Sequence, residues 1–122
     1  MTSKVSTAHE LGKIGESAAV DYLQAQGYEI LAQGFRYQHT EIDIIAGQGQ
    51  TVVFVEVKTR RHQRYGFPEE AVNTTKQTRI KTTAAYWLSR QKQKFTDCRF
   101  DILSIIFRSG KDLEIIHLQD AF

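Results

Sequence analysis

Cysteine, proline and long apolar runs are all scarce in this chain of 122 residues. The single cysteine, Cys98, cannot form an internal disulfide or supply a cysteine-rich zinc site, and we interpret it as a structural thiol. No stretch approaches the ~18 uninterrupted apolar residues of a membrane span. The first residues also lack the apolar core of a signal peptide, so we expect a cytoplasmic protein without a membrane partner.

Length and composition fit one compact domain. With 41% hydrophobic and 25% charged residues, the chain has enough apolar side chains for a modest core and does not resemble a disordered protein. We therefore expect a single domain over residues 1–122, in which residues 1–7 form a flexible terminus.

Charge is distributed unevenly along the chain, although the net charge is only +2. Residues 58–96 contain ten basic and two acidic side chains, a local charge of +8, so the remaining residues carry −6. A cationic segment of this kind favours a polyanionic partner such as nucleic acid. A solvated, charged helix surface is the competing interpretation.

Hydrophobic periodicity predicts seven elements in the order α-β-β-β-α-β-β, an α/β arrangement with helices beside a sheet. The first helix covers residues 8–26, has a buried stripe that includes Ile14, and ends at Gly27. The first strand covers residues 28–37, and Gly34 within it indicates a bend or bulge.

Turn and cap residues predict the remaining elements. Residues 47–50 contain two glycines between apolar strands, which indicates a hairpin. A second helix begins after Asn73, a good N-cap residue, and ends near Arg90. Two more strands follow, over residues 99–107, where both faces are apolar, and over residues 113–118.

Charged residues interrupt two of the apolar strands. Glu56 and Lys58 close the apolar run over residues 52–55, and Glu41 and Asp43 open the preceding strand. Because side chains alternate along a strand, each pair is expected to share a face. Burying a charged side chain in such a segment costs on the order of several kcal/mol unless the charge is paired, hydrated or bound to metal. The hairpin brings Asp43 near Glu56, with a register that the pattern does not reveal.

Other elements can add residues to this site. Glu16 lies on a shoulder of the first helix where small neighbours permit close approach to a sheet, so its carboxylate either reaches the site or turns to solvent. Residues 59–68 predict a polar, cationic and aromatic loop suited to phosphates and bases. The side chains expected to contact nucleic acid are Arg60, Arg61, Arg64, Lys76, Gln77 and Arg79.

The carboxylates provide the oxygen ligands that Mg²⁺ and Mn²⁺ prefer, and Mg²⁺ needs only one or two of them from protein. Asp43 and Glu56 would hold one ion, and a second ion would need another carboxylate such as Glu16 or Glu41. Lys58 would orient the attacking water or neutralise charge on the phosphate. This set of residues predicts hydrolysis of a nucleic-acid backbone.

The order of these motifs resembles the YraN family of predicted bacterial endonucleases, which is similar to archaeal Holliday-junction resolvases of the PD-(D/E)xK superfamily. The resemblance implies a restriction-endonuclease-like mixed sheet flanked by helices. It implies that Asp43 is the motif aspartate and that Glu56 and Lys58 form the E-x-K pair. It further implies that Glu16 is the first-helix acid and that Glu41 is a motif residue. The resemblance rests on residues 12–19, 41–46, 54–60, 70–73, 76 and 99–101.

One position departs from the family pattern. Thr40 stands where the family usually has a glycine directly before Glu-Ile-Asp. If that glycine serves a bend with positive φ, the backbone of this chain must differ there, because a β-branched residue is strained in that conformation.

The leading hypothesis is a Mg²⁺- or Mn²⁺-dependent nuclease that acts on structured or branched DNA. A non-catalytic nucleic-acid-binding module that retains the fold is the alternative. A third possibility is a protein-interaction partner in which the acidic pocket is residual. By analogy with resolvases, which act on two-fold symmetric junctions, we expect a homodimer.

Overall fold

The computed structural model describes residues 7–61, 72–108 and 112–122. Five strands of the described residues form one mixed sheet in the order β1-β2-β3-β4-β5; β3 and β4 are parallel, and the other neighbours are antiparallel. The predicted α/β class and element order are confirmed. The elements are α1 (Ala8–Ala25), β1 (Glu29–Tyr37), β2 (Thr40–Gln48), β3 (Thr51–Arg60), α2 (Thr74–Ser89), β4 (Asp97–Phe107) and β5 (Leu113–Leu118).

The two helices cover opposite faces of the sheet. Leu23 of α1 packs in one core cluster with Val53, and Trp87 of α2 packs in a second cluster with Phe54. Since neighbouring residues of a strand point to opposite faces, the clusters lie on either side of β3. Residues 101–106 of β4 are all buried, as predicted for a strand with two apolar faces.

Local sequence determines where both helices begin and end. Thr7 N donates to Glu10 Oε1 at 3.0 Å, and Glu10 N donates to Thr7 Oγ1 at 3.1 Å, which forms a capping box at the start of α1. Gly27, with φ 92°, follows the end of α1 as predicted. Asn73 is the predicted N-cap of α2, and its Oδ1 accepts a hydrogen bond from Lys76 N at 2.9 Å.

α1 approaches the sheet closely at one glycine. A Cβ atom at Gly15 would lie 2.2 Å from Thr59 Oγ1 of β3, so no larger residue fits without a shift. Gly15, Ala19 and Leu23 are the buried residues of α1. Ile14, predicted to be buried, is 47% exposed, because it lies about 100° around the helix from Gly15.

One predicted boundary within the strands was wrong. Thr59 and Arg60 belong to β3 rather than to a loop, because the parallel pairing with β4 continues through both residues. Of the bend or bulge expected at Gly34, the positive φ of 62° is found at that residue, whereas the register of β1 against β2 shifts three residues earlier, at Leu31.

Some predictions fall outside the described residues. Residues 1–6 of the expected flexible terminus are among these, as are residues 62–71, which include Arg64 and most of the expected phosphate-binding loop. These expectations, and the assignment of residues 1–122 to a single domain, stay predictions. In the described part of the chain, neither helix combines the length and the apolar character needed to cross a bilayer.

Candidate active site

Asp43 and Glu56 occupy opposing positions where β2 and β3 separate. The pairing of these strands ends at Ile44 and Val55, and the next pair in the same register would be Asp43 with Glu56. Beyond this point β2 continues to pair with β1, and β3 continues to pair with β4. The sheet therefore forks, with the two carboxylates at the apex of the fork.

The side chain of Asp43 joins the two strands at this apex. Its Oδ2 accepts a hydrogen bond from the backbone N of Val57 at 2.8 Å. The Asp43 side chain thus satisfies a half-buried backbone donor of β3 at the point where the backbone pairing with β2 has ended. The bond also fixes the Asp43 carboxylate beside Glu56.

The backbone of β2 is irregular at Asp43. Ile42 packs in the cluster beside α2, whereas Ile44 packs in the cluster beside α1, although residues two apart ordinarily share a face. The neighbouring pairs place Gly34 of β1 opposite Asp43, and Gly34 has φ 62°. The expected bend at Gly34 is present, but the alternation that grouped Glu41 with Asp43 breaks here.

Glu56 is a buried carboxylate compensated by two lysines. Lys76 Nζ, from the first turn of α2, donates to Glu56 Oε2 at 2.6 Å. Lys58 Nζ lies 3.7 Å from the same oxygen. Burial lowers the pKa of Lys76, but its contact with Glu56 outweighs burial and leaves that pKa raised. Lys76 and Lys58 therefore both face the acidic site, as predicted.

Asp43 has an unusually high pKa for a carboxylate. Desolvation by burial and then repulsion from Glu56 raise its pKa from 3.8 to about 7, although the hydrogen bond from Val57 opposes the increase. Glu16 and Glu41 add smaller repulsions. Asp43 is thus near its titration midpoint at neutral pH.

The two remaining predicted acids lie at the margin of the site. Glu16 is exposed on α1, and desolvation followed by repulsion from Glu41 and Glu56 raises its pKa. It lines a separate shallow pocket with Gln33. Glu41 lines the same cleft as Asp43, and its Oε1 lies 3.6 Å from Arg36 Nη2.

The opposed pair fits one divalent cation. Two carboxylates with water suffice for Mg²⁺, and a cation would relieve the repulsion that raises the pKa of Asp43. Among the described residues, no three acidic, histidine or cysteine side chains form a group that could hold a metal. Glu16 therefore does not complete a three-carboxylate cluster with Asp43 and Glu56 in this arrangement.

A cleft of about 500 Å³ surrounds Asp43 and Glu56, and we call it the acidic cleft. Of the residues predicted to contact nucleic acid, Lys76 and Arg79 line it. Gln77 does not, because its side chain donates to Val72 O at 3.0 Å and secures the start of α2. Arg60 lies half-buried at the end of β3 and Arg61 follows it in an exposed position. The remaining lining residues are Arg36, His39, Thr40, Glu41, Asn73 and Thr75.

The turn between β1 and β2 contributes residues to the cleft that sequence reasoning missed. Tyr37 pairs with Thr40, and the central residues Gln38 and His39 have φ 51° and 70°, as in a type I′ turn. The positive φ therefore falls before Thr40, and the threonine in place of the family glycine does not require that strained conformation. Two consecutive residues without glycine gave no turn signal for this hairpin.

Comparison with known proteins assigns the chain to a family. A family model described as "Uncharacterised protein family UPF0102" matches residues 15–105, which include the fork and both lysines. A UPF0102 protein of Dictyoglomus thermophilum is 47% identical over 114 residues, covering 93% of this chain and 97% of the relative. One of Geobacter metallireducens is 48% identical over 112 residues, covering 92% and 91%. One of Caldicellulosiruptor saccharolyticus is 46% identical over 114 residues, covering 93% and 97%. The chain belongs to the UPF0102 family.

Proposed function

We propose that this protein is a Mg²⁺- or Mn²⁺-dependent nuclease that hydrolyses phosphodiester bonds in structured or branched DNA. The observation that carries the proposal is the opposed pair of carboxylates at the fork, Asp43 and Glu56, in a cleft that also contains basic side chains. The motif resemblance to the YraN family and to Holliday-junction resolvases supports DNA as the substrate.

Asp43 and Glu56 would be the protein ligands of the ion. When bound, such an ion supplies Lewis-acid polarisation of a phosphodiester oxygen. The hydrogen bond from Val57 N holds the Asp43 carboxylate in position, so this ligand is already oriented before an ion binds. Because its pKa is about 7, Asp43 is mostly ionised and ready to bind a cation above that pH.

The lysines supply positive charge beside the reacting phosphate. Lys58 Nζ is 3.7 Å from Glu56 Oε2, close enough to orient an attacking water or to neutralise charge that develops on the phosphate. Arg36 and Arg79 line the same cleft and would hold the DNA backbone on either side of the scissile bond.

The short contact between Lys76 and Glu56 favours a second candidate function, a nucleic-acid-binding module without catalysis. The ammonium group of Lys76, 2.6 Å from Glu56 Oε2, already compensates the buried carboxylate. A metal ion would have to compete with this ammonium group, whereas binding of DNA phosphates would not.

Cleavage assays test the proposal. We expect Mn²⁺-dependent cutting of labelled flap or junction DNA, reduced at least about 100-fold in Asp43→Asn and Glu56→Gln because each loses a ligand charge. Asp21→Asn, which removes an exposed carboxylate from α1, is the control and should cut normally. Cutting that survives both site changes would refute the assignment, and salt-sensitive DNA binding without any cutting would support the second candidate.

A further inference from the structure

A second cavity adjoins the acidic cleft and differs from it in charge. Its volume is about 570 Å³, and it lies between the β1–β2 turn and α2. His39, Thr40 and Arg79 line both cavities, so the two share a wall. Three carboxylates line the acidic cleft, but none of the described residues that line the second cavity is acidic. An anionic group is therefore favoured at the boundary between them, beside Arg79.

An aromatic ring and threonine side chains form the walls of the second cavity. Tyr37 stacks on Tyr86 of α2, with ring centroids 3.9 Å apart and an interplanar angle of 9°. The stack fixes the orientation of the Tyr37 ring. Thr78 and Thr82 donate their hydroxyl hydrogens to carbonyl groups of α2 at 3.1 Å each, which leaves their methyl groups and oxygen lone pairs for a ligand. Such a surface suits a sugar or a base rather than a phosphate.

The turn that carries His39 has a strained backbone conformation. Gln38 and His39 are residues other than glycine with positive φ, which costs roughly 1–2 kcal/mol for each residue. Backbone strain of this kind is common in ligand clamps. Here the strained turn keeps the imidazole of His39 on the wall between the two cavities, on which Arg79 also lies.

The size of the second cavity limits what it can accept. Cavities of roughly 300–1,000 Å³ hold small organic ligands. One base with its sugar fits this range, whereas a base pair stacked within a duplex does not enter a space between a turn and a helix. A nucleotide in this cavity has to be unpaired.

We infer that the second cavity is a subsite for one unpaired nucleotide next to the phosphate that is cleaved, with His39 and Arg79 contacting the phosphate between the two positions. The inference rests on the proposed nuclease function and narrows its substrate to DNA with an unpaired strand at the cut. A continuous duplex is a poor substrate on this account.

Binding of a fluorescently labelled oligothymidylate, measured by anisotropy in EDTA at constant salt, tests the subsite without requiring catalysis. Thr82→Trp, a change at an exposed position that fills the cavity, should weaken binding about tenfold. Arg79→Ala should weaken it to a similar extent through loss of the phosphate contact. An unlabelled blunt duplex should compete much less well than an unlabelled single strand.

Two control variants match these changes. Ala85→Trp adds the same bulk at an exposed position of α2, and Lys13→Ala removes one positive charge from an exposed position of α1, outside the basic segment of residues 58–96; neither residue lines either cavity. Both should bind within about twofold of the unmodified protein. The inference is overturned if Thr82→Trp and Arg79→Ala bind normally, if the unmodified protein does not bind the single strand, or if duplex competes equally. None of these outcomes depends on cleavage. The binding assay therefore tests the subsite, and the cleavage assay with Asp43→Asn tests the nuclease proposal independently.

Discussion

Opposing interactions determine the pKa of Asp43, a single residue of the site. Desolvation and the charge of Glu56 favour its protonated form, whereas the hydrogen bond from Val57 favours the carboxylate. The first two prevail, and the pKa rises to about 7. A divalent cation would reverse this balance, because it favours the ionised form of every neighbouring carboxylate.

The stability of the metal-free protein should depend on pH through Asp43. Its pKa is about 7 in the folded state and ordinarily 3.8, so between these values the folded state binds more protons than the unfolded state. The contribution of Asp43 to the free energy of unfolding therefore falls as pH rises from about 4 through about 7. Asp43→Asn, which retains an acceptor for Val57, removes this dependence.

Urea denaturation in EDTA at pH 5 and pH 8 measures the effect. The unmodified protein should lose roughly 2–3 kcal/mol more than Asp43→Asn between the two pH values. Asp21→Asn controls for the removal of a carboxylate. Equal pH dependence in the unmodified protein and Asp43→Asn would show that Asp43 does not titrate in this range.

Helical periodicity predicted the position of the Lys76 side chain better than that of Gln77. Lys76 and Gln77 both extend the buried stripe of α2, but only one of them turns its side chain to Glu56. The two residues lie about 100° apart on the helix, and the choice depends on the position of Val72, which accepts the bond from Gln77. His39 was missed because the turn that carries it has no glycine.

Among the secondary-structure elements, the sequence predicted the β2–β3 hairpin but not the fork between these strands. Gly47 and Gly49 indicated the β2–β3 hairpin, whose strands do pair from Gln48 and Thr51. The fork was not predictable, because it depends on which neighbouring strand β3 follows after Val55. Residues 52–55 are apolar on both faces of β3, so the sequence does not indicate which neighbouring strand β3 follows. In the structure, β3 remains paired with β4 through Arg60, its last residue.

Gly15 sets the distance between α1 and β3. Gly15→Ala places a Cβ atom 2.2 Å from Thr59 Oγ1, so α1 or the Thr59 side chain must shift, and we expect a loss of about 1–3 kcal/mol in the free energy of unfolding. Gly12→Ala is the matched control, because a Cβ atom there meets nothing within 4 Å and should stabilise α1 by up to about 1 kcal/mol.

Chemical denaturation of both variants tests this close contact. Opposite signs of the two changes would support it. If Gly15→Ala were as stable as Gly12→Ala, the approach of α1 to the sheet would be looser than described.

A buried polar network connects distant parts of the whole molecule. Asp101 of β4 is fully buried; it accepts bonds from Arg99 Nε at 2.9 Å and Nη2 at 2.8 Å, and its Oδ2 lies 2.7 Å from His117 Nε2 of β5. His117 Nδ1 lies 3.0 Å from the hydroxyl of Tyr22 on α1. Arg99 Nη2 also donates to the Tyr28 hydroxyl at 2.6 Å. The network therefore joins α1 to β4 and to the edge strand β5.

Replacement of Asp101 should destabilise the fold rather than alter the proposed chemistry. Burial raises the pKa of Asp101, but the bonds from His117 and Arg99 outweigh it and lower that pKa overall. Its stabilising contribution is thus present above the ordinary pKa and is lost as pH falls through the lowered folded value. Asp101→Asn should cost about 3–5 kcal/mol at pH 7, because Arg99 then lacks its buried partner.

Thermal denaturation at pH 7 checks this prediction. Tyr22→Phe, which removes only the bond to His117, is the graded comparison and should cost about 1 kcal/mol. An Asp101→Asn protein as stable as the unmodified one would show that the network contributes little to the fold.

Contacts between residues far apart in the chain could not be predicted from the sequence. Tyr22 and His117 are separated by 95 residues, and no local pattern indicates that they meet. The motif over residues 99–101 was recognised only through a family resemblance, whereas the structure explains it by the pairing of Arg99 with Asp101. The expected homodimer and cytoplasmic location stay predictions.

Calorimetric titration of Mn²⁺ at pH 8 measures whether Asp43 and Glu56 together hold a divalent cation. At this pH Asp43 is mostly ionised, since its pKa is about 7. We expect one Mn²⁺ site in the unmodified protein and in Glu29→Gln, an exposed control on β1, and at least about tenfold weaker binding in Glu56→Gln. If the unmodified protein bound no Mn²⁺, or if Glu56→Gln bound it with unchanged affinity, Asp43 and Glu56 would not be the ligands of a cation.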